Sequence, residues 1–160
     1  MVLVESGHTK LSEEMFSNDF RLAWGTLPSG SGWADAPLPE DLNSTELILE
    51  VGRIVAQVKE YVIPDNAGVI DVDGVKWSIS ATPTKFIYTK FVFEQEMNSS
   101  DSIYQLGVFT NTVPSVGFEA ETYLQPSNIA DVGKLILLEN QPVVFRNSAT
   151  REIFEYVITF

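Results

Sequence analysis

From Pro64 to Phe160 the chain is a succession of short apolar runs cut by turn residues. Asp73-Gly74 stands between Val69–Val72 and Val75–Ser80. An Asp-Gly pair flanked by such runs signals a hairpin, because both central residues of the tight turn need positive φ. Asp65-Asn66-Ala67-Gly68 marks another turn. In Lys85–Glu94, Phe86, Tyr88 and Val92 point one way and Ile87, Phe91 and Phe93 the other. A strand apolar on both faces belongs inside a sheet arrangement. Ile103–Asn111, Lys134–Glu139, Val143–Arg146 and Ile153–Phe160 read as further strands. Val113–Phe118, broken by Pro114 and Gly117, reads as an exposed loop. The chain closes on Phe160 without a polar tail, so the last strand is expected to be built into a sheet.

Residues 44–63 support two readings. Asn43-Ser44-Thr45-Glu46 has the composition of a helix start, and Leu47, Ile48, Val51, Ile54, Val55 and Val58 would form an apolar stripe. Against this, Gly52 weakens a helix interior and Arg53–Ile63 is rich in β-branched residues. The compromise is a short helix to about Gly52, then a strand ending before Pro64. The predicted class is mainly β: a β-sandwich-like body of seven or eight strands over 44–160, with one or two short helices and an extended N-terminal arm.

That arm, residues 1–43, is expected to be irregular. Gly25, Pro28, Gly30, Gly32, Pro37 and Pro39 punctuate it, and Ser29-Gly30-Ser31-Gly32 reads as a flexible loop. A short helix is predicted at Ser12–Phe16, with Ser12 as N-cap. Yet the arm carries Phe16, Phe20, Leu22, Trp24 and Trp33, more large apolar groups than a free tail keeps. They either fold back on the domain or anchor in a partner, and these five are the candidate partner interface.

Charge narrows the function classes. The chain has 22 acidic and 10 basic residues, a formal net charge of −12. Binding phosphate backbones or anionic lipid surfaces needs clustered Lys and Arg, so neither nucleic acid nor membrane is an expected partner. The acids are concentrated in residues 1–132, which favours a basic partner surface or plain solubility. With no Cys, thiolate catalysis, disulfides and Cys-ligated metal are excluded. The opening, Met1 to His8, lacks a basic leader and a long apolar run, so the expected place of synthesis is a cytosol.

No set of residues reads as catalytic, and no cofactor or metal site is expected. Asp71-Val72-Asp73-Gly74 resembles part of a calcium loop, but Val75 and Thr82 occupy positions that need oxygen ligands of another kind. Asp65 with Asp71, or Glu94 with Glu96, could pose as a glycosidase pair, although an acidic chain supplies such pairs by chance. His8 is the single imidazole and lies in the arm. Glycine-rich phosphate loops are absent. Trp24, Trp33 and Trp77 leave open a second class, a carbohydrate- or receptor-binding β-module that stacks sugars on exposed rings.

Four stretches carry a family resemblance. They are Glu5-Ser6-Gly7 through Phe20-Arg21-Leu22-Ala23-Trp24-Gly25; Leu47–Arg53 with Tyr61-Val62-Ile63-Pro64; Ser102–Phe109; and Leu135–Asn140 with Arg151–Phe160. Together they resemble structural proteins of tailed bacteriophages: contractile-tail baseplate components and the baseplate-attaching domains of tail-collar fibre proteins. Ser102–Phe109 is similar to an Ile-Arg-Glu-x-Gly-Leu-Phe strand of collar-type domains, with Tyr104 and Gln105 here in place of the Arg and Glu. The resemblance implies a non-enzymatic virion subunit between the baseplate and the fibres or wedge proteins. It also implies many copies around a threefold or sixfold axis.

Overall fold

The computed structural model describes residues 2–30, 33, 36–97, 102–147 and 149–160. In chain order the elements are α1 (Glu5–Phe16), β1 (Phe20–Thr26), β2 (Leu49–Val55), β3 (Val58–Pro64), β4 (Ile70–Val72), β5 (Val75–Ile79) and β6 (Phe86–Phe93). There follow β7 (Ser102–Thr110), β8 (Val113–Pro114), β9 (Tyr123–Leu124), β10 (Ile129–Asp131), β11 (Lys134–Phe145) and β12 (Glu152–Thr159), with one 3-10 turn at Pro126–Asn128. The mainly β expectation holds, but with twelve strands among the described residues rather than seven or eight.

The chain forms two compact units. One comprises Met1–Asn18, Ala56–Val92 and Ile153–Phe160; the other comprises Asp19–Val55 and Phe93–Glu152. The first contains α1 and a five-stranded sheet in the order β12-β6-β3-β5-β4. Its apolar cluster is Val62, Val72, Trp77 and Tyr88, flanked by Val58, Ile70, Phe86 and Val157. β6 lies inside the sheet, as its two apolar faces require, and β12 brings the chain end into it. Asp73 (φ 52°) and Gly74 (φ 78°) form the β4–β5 turn, both left-handed as the Asp-Gly pair predicts. Asp71 Oδ1 accepts the Gly74 N–H at 3.1 Å and fixes the turn.

The second unit holds a five-stranded sheet in the order β11-β7-β1-β2-β9 and the small β8–β10 ladder. β1 is the middle strand and pairs antiparallel with both β2 and β7. Phe20, Leu22 and Trp24 on one side of β1, and Arg21 and Ala23 on the other, are all buried. Such a strand has no polar face to alternate with, and its period-2 signal is weak.

Several expectations are corrected. Residues 5–11 and 20–26, expected to be irregular, are helix and a central strand, and the helix predicted at Ser12–Phe16 is the end of α1. The helix begins at Glu5, and Ser12 is no N-cap: it lies inside α1 with its side chain buried. The helix to Gly52 is replaced by β2, because backbone pairing to β1 outweighs the chance stripe. Lys134–Glu139 and Val143–Arg146 are one strand, β11, whose pairing to β7 slips between Asn140 and Val144. Val113–Phe118 is a loop apart from the two-residue β8. Ser31 and Gly32 of the predicted flexible loop lie outside the described residues.

Candidate interaction surface

The five aromatic and apolar residues singled out from the sequence are not gathered on one surface. Phe16 ends α1 and stacks on Tyr61, with ring centroids 4.2 Å apart. Lys59 Nζ sits over the Phe16 ring and donates to the carbonyls of Phe16 and Asn18 at 2.7 and 2.8 Å, satisfying the helix C-terminus. Phe20, Leu22 and Trp24 are buried in β1. Trp24 meets Phe93 edge to face at 6.0 Å, and the Arg146 guanidinium lies 5.1 Å from its ring. Arg146 also donates to the carbonyls of Met97 and Glu94. Trp33 is half-buried, donates from Nε1 to the Gln141 carbonyl at 3.0 Å and meets Tyr104 edge to face. A sugar-stacking platform needs an open ring face, and the buried Trp24 and Trp77 offer none.

Three of the four acids that could pose as catalytic pairs have structural employment. Asp65 accepts from the Ala67 N–H and the Ser78 hydroxyl, and the hydroxyl bond chiefly holds its carboxyl below the usual range. Asp71 closes the hairpin, and Glu94 pairs with Arg151. His8 lies in α1, and its covered Nδ1 makes no hydrogen bond among the described residues. Among those residues no three His, Asp or Glu side chains gather so as to hold a metal ion.

The most elaborate polar constellation is structural, and sequence reasoning missed it. Arg53 is buried on β2, its Nε and Nη2 donating to Glu50 at 2.7 and 2.6 Å. Nη1 donates to the Thr112 hydroxyl and the Val132 carbonyl, each at 2.7 Å. The guanidinium lies 3.9 Å over the Phe109 ring. This ties β2 to the loops around β8 and β10. Nearby Arg21 is also buried, and desolvation lowers its pKa.

What remains open is the outer margin of the β7–β11 pair. β11 is an edge strand, and residues 38–48 are pinned beside it. Asn140 donates from its backbone N–H to Glu40 Oε1 at 3.0 Å, and from Nδ2 to the Leu38 carbonyl at 2.9 Å. Gln105 donates to Asn140 Oδ1 at 2.7 Å and accepts the Ile48 N–H at 2.8 Å. The Asn140 N–H holds the Glu40 carboxyl below its usual range. Between segment and strand runs a groove lined by Glu40, Asp41, Leu42, Ser44 and Leu135–Leu138. Leu42 is 99% exposed, and Leu38, Leu137 and Phe145 also show large apolar surface to solvent. The signal for this edge was the apolar run at Leu135–Leu138; the order of the strands was not in it.

A family model for the baseplate wedge 3 tail fiber network component matches residues 1–160. The chain belongs to that family. It is a phage tail protein of the baseplate, as the resemblance implied. No curated protein matches the sequence.

Proposed function

We propose that this baseplate wedge family member acts without catalysis, as a connector that ties the wedge to tail fibres or to neighbouring wedge proteins. It is made in the host cytoplasm and built into the virion tail in several copies around a threefold or sixfold axis. The observation that carries this reading is the match of a tail-fibre-network family over the whole chain. Two physical features support it. The polar constellations are spent on internal hydrogen bonds, and large apolar side chains stand exposed, among them Leu42 and Phe145 beside an edge strand and Val69 and Ile79 in the other unit. Exposed apolar groups of this kind suit heterologous contacts. Of the five interface candidates read from the sequence, Trp33 stands beside this edge, donating to the Gln141 carbonyl of β11.

The test is genetic. Phage lacking this chain are expected to assemble tails whose baseplates carry few or no fibres by negative-stain electron microscopy, with fibres restored by the protein supplied in trans. Normally fibred, infectious particles without the chain would refute the proposal.

A further inference from the structure

We infer that the groove between residues 40–44 and β11 receives an extended segment of another baseplate or fibre protein, which pairs along the β11 edge and seats a Lys or Arg between Glu40 and Asp41. The inference rests on the connector reading and names the surface and the chemistry of its partner.

Backbone direction comes first. In an antiparallel ladder N–H and C=O of one residue face the same side, and residues two apart face alike. The Asn140 N–H turns away from β7, since it donates to Glu40. Leu138, two residues back in an uninterrupted stretch of register, therefore directs its N–H and C=O to the same outer side. An outward row of peptide groups is a template for an added strand.

The side chains select the occupant. The groove is about 270 Å³, ample for one long side chain. Leu42 and Leu135–Leu138 line it together with Glu40, Asp41 and Ser44. Glu40 Oε1 accepts from Asn140 and Asp41 Oδ1 from Asn43, so each carboxylate meets a cation through its other oxygen. Lys and Arg combine an apolar stem with a cationic head, so the stem covers leucine while the head meets the carboxylates. A second copy of this chain is disfavoured by the same charges. Each copy carries −12, and symmetric β11 pairing would bring two acidic rims together.

The experiment places a photo-crosslinking amino acid at position 42 in phage-infected cells, with position 69, also exposed and in the other unit, as control. Adducts are mapped by mass spectrometry of purified particles. The expected product joins position 42 to a Lys- or Arg-containing apolar segment of a different baseplate or fibre protein. Asp41→Lys in the same background should lower that adduct at least about tenfold, because a like charge across an interface repels strongly. The circular dichroism of the purified Asp41→Lys protein should match the parent. An adduct to a second copy, to an acidic segment, or none at position 42 in particles that contain the chain overturns this inference alone. Loss of the chain from fibred particles overturns the connector reading with it.

Discussion

Glu50 and Arg53 stand three residues apart on β2 yet share one face of the sheet, joined by two hydrogen bonds of 2.7 and 2.6 Å. Residues i and i+3 of a regular strand point to opposite faces. The pairing explains the exception: Gly52 opposes Trp24 and Glu50 opposes Gly25, so Val51 is an extra residue that resets the alternation. Arg53 is 1% and Glu50 15% exposed at the side chain, so the pair is desolvated. Glu50→Ala strands a buried cation and is expected to cost about 3–5 kcal/mol. Replacing both residues with apolar ones, Glu50→Leu with Arg53→Met, should recover much of that loss. Urea denaturation of the parent and these two variants measures both effects.

Trp24 discriminates between core and docking roles. Buried between Phe93 and Arg146, it should cost about 3–5 kcal/mol on truncation to Ala in the isolated protein. A docking residue would leave the isolated protein's urea midpoint unmoved. Leu42→Ala, at a fully exposed position, should do so.

These two residues also mark where the sequence was legible. The Asp73-Gly74 turn, the two-faced apolar strand at Phe86–Phe93 and the strand closing the chain were all readable, because each carries a local signal that the fold keeps. β1 was not. Buried on both faces and crossed by Arg21, it lacks alternation, and the Gly and Pro residues after it give the texture of a loop. β2 imitated a helix because the Val51 bulge breaks its period of two. α1 begins at Glu5 behind Val4, an N-cap residue with no capping side chain, so the visible cap-like Ser12 pointed to the wrong start. The candidate surface was half legible. Its apolar residues are plain at Leu135–Leu138, but their place at a sheet edge depends on pairing across some thirty residues to β7.

The Tyr88–Glu155 hydrogen bond, 2.6 Å long, sets a pH dependence at both ends of the scale. Tyr88 donation, then Lys90, holds the Glu155 carboxyl below its ordinary 4.5. A depressed carboxyl contributes stability above its unfolded value and loses it as pH falls through the folded one. Burial, then the Glu155 carboxylate, pushes the Tyr88 phenol above its ordinary 10.0. That contribution is present below 10.0 and is lost as pH rises beyond it. Tyr88→Phe should cost roughly 1.5 kcal/mol at neutral pH, the low end for a bond to a charged group because Glu155 is 34% exposed. It should also flatten the alkaline and part of the acid decline in urea midpoint.

Gly74 should tolerate no side chain without cost. Its φ of 78° lies in the left-handed region, although nothing stands within 4 Å of an added Cβ. Gly74→Ala is therefore expected to cost about 1–2 kcal/mol through backbone strain alone. Gly74→Asn should cost less, because Asn accepts this conformation better. Thermal denaturation of the three proteins gives the ranking.

The central claim is that this chain is a working part of the baseplate. Quantitative peptide mass spectrometry of gradient-purified particles tests it most directly, comparing intact phage with tails stripped of their baseplates. The account predicts the chain at several copies per particle, in a fixed ratio to other wedge proteins, and lost with the baseplate. A chain absent from intact particles, or retained after baseplate removal, would contradict it.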